Sequence, residues 1–347
     1  MNLPTIPPLN EAAMQAARKR QNRLTKPQGS LGRLEELSIQ LAGITGNPFP
    51  SVGQKVVIVM AADHGVTREG VSAYPAEVTP QMVKNFLRGG AAINVLTRQA
   101  NARVVVVDMG IAAEIPDLSG QLIRRRVAAG TANLAQGPAM TREQAEESIQ
   151  SGIEVTLAEI SKGADLLATG DMGIGNTTSS AAIACALMKQ SPEGIAGRGT
   201  GVDDEGLGRK ISVIARALAL NKPDPHDALD VLAKVGGFEI GGLTGVMLAA
   251  AANRKPVVVD GFISSAAAMI AVSLLPAARD YMIAAHSSQE RGHTLMLDWL
   301  GLNPLLDLNL RLGEGTGAAL AFHLIEASTR ILCEMSTFDE AGVSDKE

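Results

Sequence analysis

A chain of 347 residues that is 46% hydrophobic and 19% charged carries enough apolar material for a large buried core, arranged as one α/β domain or two smaller ones. Its net charge of −5 and its 3% of aromatic residues exclude the cationic surface and the stacking platform that nucleic-acid binders need, so a small-molecule partner is expected. The 36 glycines exceed average usage and point to loops in which backbone approaches a ligand closely.

In chain order, residues 1–20 lack the apolar stretch of a signal peptide and carry Arg18-Lys19-Arg20 where a cleavage region would fall. Residues 10–43 read as helix, interrupted by the turn Lys26-Pro27-Gln28-Gly29-Ser30. Leu31, Leu34, Leu37 and Leu41 then mark one apolar face. After residue 48 the pattern changes to short β-branched runs, each ending in a polar or glycine-rich loop. They occupy residues 55–61, before Asp63-His64-Gly65, and 103–107, before Asp108-Met109-Gly110. Three more lie at 164–169, before Gly170-Asp171-Met172-Gly173, at 256–259, before Asp260-Gly261, and at 281–285, before His286-Ser287-Ser288. Uninterrupted apolar runs separated by Ala- and Leu-rich helical segments imply βα units and a parallel sheet buried on both faces. Ligands of such sheets bind beyond the carboxyl ends of the strands, so these loops are expected to converge on one site.

The apolar stretches 241–252 and 263–278 fall short of the ~20 residues that cross a bilayer, and the second contains Pro276; both are expected to be core helices. Cys185 and Cys333 fit neither CxxC nor zinc spacing and are expected as two buried free thiols in a reducing, cytoplasmic compartment. Arg124-Arg125-Arg126 reads as a solvated charge run.

The loop from Gly170 to Thr178 precedes an Ala-rich helix over 179–188. Gly173 and Gly175 would let backbone approach an anion, and Thr177 or Thr178 would cap the helix, whose free N–H groups favour a phosphate. It is neither a Walker loop nor a dinucleotide fingerprint, which sets nucleotide-dependent oxidoreductases and methyltransferases behind. Two GxGxG loops follow, 197–201 and 313–317. The second is expected between a short strand at 308–312 and a helix at 318–335. It places Glu314 at a strand end between Gly313 and Gly315, a tight, water-poor setting suited to accepting a proton. His286-Ser287-Ser288-Gln289-Glu290-Arg291-Gly292-His293 matches no HExxH-like spacing and reads as substrate hydrogen bonding, by His286 and Ser287, or local structure rather than a metal site. Asp63-His64 reads as a catalytic pair or as structure, since adjacent residues at a strand end point to opposite sides.

Five segments in one order carry a family resemblance. They are Lys26-Pro27-Gln28-Gly29-Ser30-Leu31-Gly32-Arg33-Leu34-Glu35, Ala62-Asp63-His64-Gly65-Val66, Gly173-Ile174-Gly175-Asn176-Thr177-Thr178, Asp260-Gly261-Phe262-Ile263-Ser264-Ser265-Ala266 and Leu312-Gly313-Glu314-Gly315-Thr316-Gly317-Ala318. Over nearly its whole length the chain resembles the nicotinate-nucleotide:dimethylbenzimidazole phosphoribosyltransferases of cobalamin nucleotide-loop biosynthesis. The resemblance implies a Rossmann-like parallel sheet flanked by helices, with a small helical domain built from both termini. That division gives residues 1–50 as the N-terminal helical segment, 51–317 as the α/β catalytic domain and 318–347 as the C-terminal helix and tail. It implies a homodimer whose partner helps complete each site, and transfer of phosphoribose from nicotinate mononucleotide to 5,6-dimethylbenzimidazole without metal or other cofactor. Glu314 matches the family's catalytic base. Gly173, Gly175, Asn176, Thr177, Thr178 and Lys210 fall where phosphate or ribose is held, and Tyr74, Pro75 and Met82 are expected as walls of the base pocket. Asp171 stands where many relatives carry Glu, a carboxylate one methylene shorter, which puts a direct catalytic duty for it in doubt.

Overall fold

The run beginning at Lys55 becomes a strand because its side chains are wanted on both faces. In the computed structural model, which describes residues 3–116 and 120–344, β1 (Lys55–Ala62) is buried at every position. Val56, Ile58 and Met60 enter one core cluster while Val57, Val59 and Ala61 enter another, as a period of two requires. Burying each of these Val, Ile and Met side chains contributes about 1.5–3 kcal/mol, so the strand has no polar face to spare. With β2 (Ala102–Gly110), β3 (Leu122–Arg124), β4 (Leu166–Met172), β5 (Val257–Val259) and β6 (Met282–Ala284) it forms one six-stranded sheet in the order β3-β2-β1-β4-β5-β6. Every adjacent pair is parallel. All carboxyl ends therefore share one edge, and the order reverses between β1 and β4, where a crevice opens in doubly wound sheets.

The even-numbered face of β1 is covered by helices that include Arg142–Ser161, Asn176–Met188, Phe238–Ala252 and Phe262–Leu274. Helices Arg142–Ser161 and Phe238–Ala252 approach so closely that a Cβ on Gly152 would lie 1.9 Å from the Gly242 carbonyl oxygen. Part of the glycine excess thus serves helix packing rather than loops. The opposite face is covered by Leu37 and Leu41 of helix Arg33–Thr45, by Phe322 and Ile325 of helix Thr316–Glu334, and by helices Val78–Leu87 and Ala92–Gln99.

The two chain ends meet behind that layer. Ala13, Ala17, Ala42 and Leu332 form a small cluster, and Arg20 Nε donates to the Leu332 carbonyl at 2.8 Å. In the Lys26-to-Glu35 segment, the buried Lys26 Nζ donates to Glu35 Oε1 at 2.7 Å, and the same oxygen accepts the Leu31 amide at 3.0 Å. This motif staples a turn.

Three expectations need correction. Residues 308–312 are no strand: Asn309 takes φ +56°, Leu308 and Leu312 are more than half exposed, and the segment joins its surroundings through the Gln289 amide to Leu310 oxygen bond (3.0 Å). Alternating leucines mimic a strand there, but a left-handed residue breaks it. Arg124 and Arg126 are not merely solvated; they donate to the carbonyls of Ile115 (2.7 Å) and Ala112 (3.0 Å), fastening the loop after β2. Cys185 is buried, which pushes its thiol up to about 12, whereas Cys333 is only partly buried. Among the described residues no helix is long and apolar enough to cross a membrane.

Candidate active site

Three glycine loops converge at the carboxyl edge of the sheet. The first leaves β4 at Met172, turns left-handed at Gly175 (φ +97°) and starts helix Asn176–Met188 with no side-chain cap. Neither Thr177 nor Thr178 caps it, contrary to expectation. Gly175 occupies the cap position; the Asn176 and Thr178 amides turn back to the Gly173 and Gly175 carbonyls (both 3.0 Å), and no side chain caps the helix. Beneath the loop lies the buried ring of His64, with Nε2 2.6 Å from Glu239 Oε1 and Nδ1 3.1 Å from Ser179 Oγ. A Cβ on Gly173 or Gly175 would come within 3.3 Å of His64. Asp63 points elsewhere and accepts the Ala112 amide at 2.8 Å. The two adjacent residues do not pair with each other, and His64 supports the loop from below.

Loop 197–201 closes on the first from the side. Lys210, on helix Asp204–Asn221, is buried and donates to Thr177 Oγ1 (2.8 Å) and the Gly197 carbonyl (3.2 Å). Burial lowers its proton affinity to about 8, against the opposing charge of Glu290. An ammonium held by two neutral oxygens is short of an anion. Beside it opens a cleft of about 820 Å³ lined by Gly197, Arg198, Glu290, Arg291 and Arg311, among others.

The third loop carries Glu314. Glu314 is 5% exposed, and its buried Oε2 has no hydrogen-bond partner. Burial pushes the group up to about 7; the Ile93 amide opposes the rise and the charge of Asp260 adds to it. Asp171 joins the first and third loops. Asn176 Nδ2 donates to its Oδ2 at 3.0 Å, and a Cβ on Gly313 would lie 3.2 Å from either carboxylate oxygen. Burial, then the charges of Asp260 and Glu239, hold the Asp171 carboxyl well above its usual range, with the Asn176 amide pulling against them. Such a set of crowded, desolvated carboxyls in a crevice makes it the candidate site.

Backbone contact between strand and loop is equally tight. A Cβ on Gly170 would meet the Glu314 carbonyl oxygen at 2.5 Å and its carbon at 2.8 Å. Gly170→Ala is therefore expected to cost about 1–3 kcal/mol of stability and to displace Glu314. Thermal melting and turnover together check this, and a variant normal in both would show that the contact is slack.

A phosphoribosyltransferase family model matches residues 6–343. The chain is 60% identical over 342 residues to the nicotinate-nucleotide–dimethylbenzimidazole phosphoribosyltransferase of Chloroflexus aggregans, covering 99% of this chain and 97% of that protein. It is 61% identical over 341 residues to the protein of the same name from a Roseiflexus species, covering 98% and 96%. The chain belongs to this phosphoribosyltransferase family. Its fold superposes on the crystal structure of CobT from Thermus thermophilus with a TM-score of 0.93 at 51% identity, over 96% of this chain and all of that one.

In this phosphoribosyltransferase, Gly173, Gly175, Asn176, Thr177, Thr178, Lys210, Asp171, Gly313, Glu314 and Gly315 lie along the three converging loops and the helices beside them. His286, at the end of β6, is buried with Nε2 4.0 Å from Asp260 Oδ1, and its ring packs against Gly261 and Gly317. The Ser287 amide donates to the Leu306 carbonyl (2.8 Å). His293 turns inward: its Nδ1 accepts the Ser288 amide at 2.9 Å, so Nε2 carries the proton toward Ser265 Oγ, also at 2.9 Å. Burial pushes its proton affinity down to about 3. Tyr74 and Pro75 are exposed and Met82 half-buried, packed beside the odd-numbered face of β1. Sequence reasoning passed over Glu239 and Asp260. The first had a signal, being the one charged residue of helix Phe238–Ala252.

Proposed function

We infer that Glu314 is the general base in the transfer of the 5-phosphoribosyl group from nicotinate mononucleotide to 5,6-dimethylbenzimidazole, the reaction that assembles the cobalamin lower ligand. The supporting observation is a buried carboxylate with one free oxygen and a proton affinity near neutrality, in contact through Asp171 with a loop built for an anion.

In nicotinate mononucleotide the ribose is bonded to a cationic pyridinium nitrogen. Nicotinate leaves with the bonding pair and a neutral ring, so the departure needs no acid. The incoming benzimidazole attacks C1′ through one ring nitrogen while the other still bears hydrogen. Glu314 takes that proton as the new C–N bond forms, and the products are α-ribazole 5′-phosphate and nicotinate. Attack opposite the leaving ring inverts C1′ from β to α. Lys210, Thr177 and Thr178, with backbone at Gly173, Gly175 and Asn176, hold the phosphate and ribose. His286 and Ser287 are assigned to substrate hydrogen bonding, and Tyr74, Pro75 and Met82 to the aromatic base. Asp171 orders Asn176 and Gly313 between the two substrates' loops. We read the working assembly as a cytoplasmic homodimer in which the partner covers the exposed Tyr74 region, with residues 1–50 and 318–347 as the small helical domain.

The direct test incubates purified protein with nicotinate mononucleotide and a panel of benzimidazoles, purines and phenols, following nicotinate release and product anomer by NMR. Release without an α-configured product would reject the inversion, and no release would reject the donor.

The pH profile tests the base. Burial raises the Glu314 carboxyl to about 7, and only its ionised form accepts a proton. Activity is expected to climb as pH rises through about 7, not through the ordinary carboxylate value of 4.5. A kcat/KM profile flat between about pH 5 and 8 would contradict the assignment.

A further inference from the structure

Gly313, Glu314 and Gly315 take φ of +82°, +63° and +88° in succession. L-residues visit this region singly, and glutamate lacks the short side chain that lets Asn or Asp bond locally there. A three-residue left-handed turn with glutamate at its centre therefore has to be held from outside.

Asp260, the residue after β5, does the holding. It is 1% exposed, and its two oxygens hold the last residue of the turn and the first turn of the helix that follows: Oδ2 accepts the Gly315 amide at 3.1 Å and Oδ1 the Ala318 amide at 2.9 Å. Its own amide is anchored on Thr169 Oγ1 of β4 at 3.3 Å. We propose that Asp260 is a positioning residue for the transfer reaction, one that clamps the left-handed turn and so fixes where the Glu314 carboxylate stands. The proposal rests on reading Glu314 as the base.

The clamp is also a charge. Glu314 faces Asp171 from the end of β4, Asp260 from the end of β5, and the Ile93 amide from helix Ala92–Gln99. Asp260 in turn faces Asp171, Glu314, the His286 ring after β6, and the amides of Gly315, Gly317 and Ala318. Its negative charge favours the protonated form of Glu314, and removing it lets Glu314 ionise at lower pH.

Position and charge separate in two variants. Asp260→Asn keeps the shape, removes the charge and spoils one of the two acceptors. It is expected to lower kcat by about 10- to 100-fold with the mononucleotide KM held within about twofold, and to move the acid limb of the rate profile to lower pH. Asp260→Glu keeps the charge and misplaces the oxygens by one methylene. It is expected to lose kcat while the acid limb stays in place. In a Glu314→Gln background, Asp260→Asn should lower kcat no further, because its effect passes through Glu314. The proposal is overturned if Asp260→Asn costs the same factor in both backgrounds, or leaves the acid limb unmoved. Should that variant fail to fold, normal kcat in Asp260→Glu overturns it alone. Failure of the base reading looks different, since Glu314→Gln by itself would then turn over normally.

Discussion

Glu314→Gln is expected to lower kcat by about 10²–10⁴, or roughly 3–5 kcal/mol of transition-state stabilisation, while mononucleotide binding persists. Glutamine fills the same volume and tolerates the same left-handed turn no worse, so the clamp from Asp260 and the contact with Gly170 survive. What disappears is the only part the chemistry needs, an oxygen able to keep a proton. The leaving ring departs unaided, and a slow residual rate should therefore remain. A second readout separates this role from a structural one. The folded state raises the Glu314 carboxyl from 4.5 to about 7. Stability present below the unfolded value is thus lost as pH rises through 7, by an amount on the order of 3 kcal/mol. The Gln variant should melt above the parent at pH 8 and alongside it at pH 4. Near-normal turnover, or a melting difference with no dependence on pH, would remove Glu314 from the role.

That Glu314 could be singled out from sequence while Asp260 could not reflects what each residue's setting encodes. A glutamate between glycines is locally anomalous, and the anomaly is visible in five letters. Asp260 has the ordinary position of a residue after a buried strand, and its partners at Gly315 and Ala318 lie more than fifty residues downstream. Only the parallel pairing of β4 with β5 brings them together. Glu239 is intermediate: a lone charge in an apolar helix signals a buried partner without saying that it is His64.

The sheet was legible wherever a strand was long and buried on both faces, as in β1, because no surface helix tolerates such an unbroken β-branched run. It was not legible at β3, an edge strand buried only at its first residue, whose Leu122-Ile123 runs straight into the charge run Arg124-Arg125-Arg126; β5 and β6 are as short but buried at every position. At 308–312 the alternation was present but a left-handed Asn309 denied it a strand. The same local conformation that breaks one expectation there supports another at Glu314, where a positive φ aims a carboxylate instead of ending an element.

Neutralising the other end of the site should act on binding rather than on chemistry. Lys210→Met is expected to raise the mononucleotide KM by about 10- to 100-fold, the worth of one to two charge-assisted hydrogen bonds, with far less change in the KM for the benzimidazole. Methionine is long and apolar enough to occupy the same buried path between helix Asp204–Asn221 and loop 197–201. Without ligand, the fold lowers the Lys210 ammonium from 10.5 to about 8, so the parent loses stability as pH falls from the first value through the second. The variant should escape that loss and melt higher than the parent at pH 7. A bound phosphate restores the proton affinity of the ammonium, and mononucleotide binding to the parent should take up a proton above pH 8 and weaken there. The methionine variant has no group to show that slope. Steady-state kinetics with each substrate varied in turn, at pH 7 and pH 9, decide the matter: an unchanged mononucleotide KM, or a slope that survives the substitution, would place the phosphate away from Lys210.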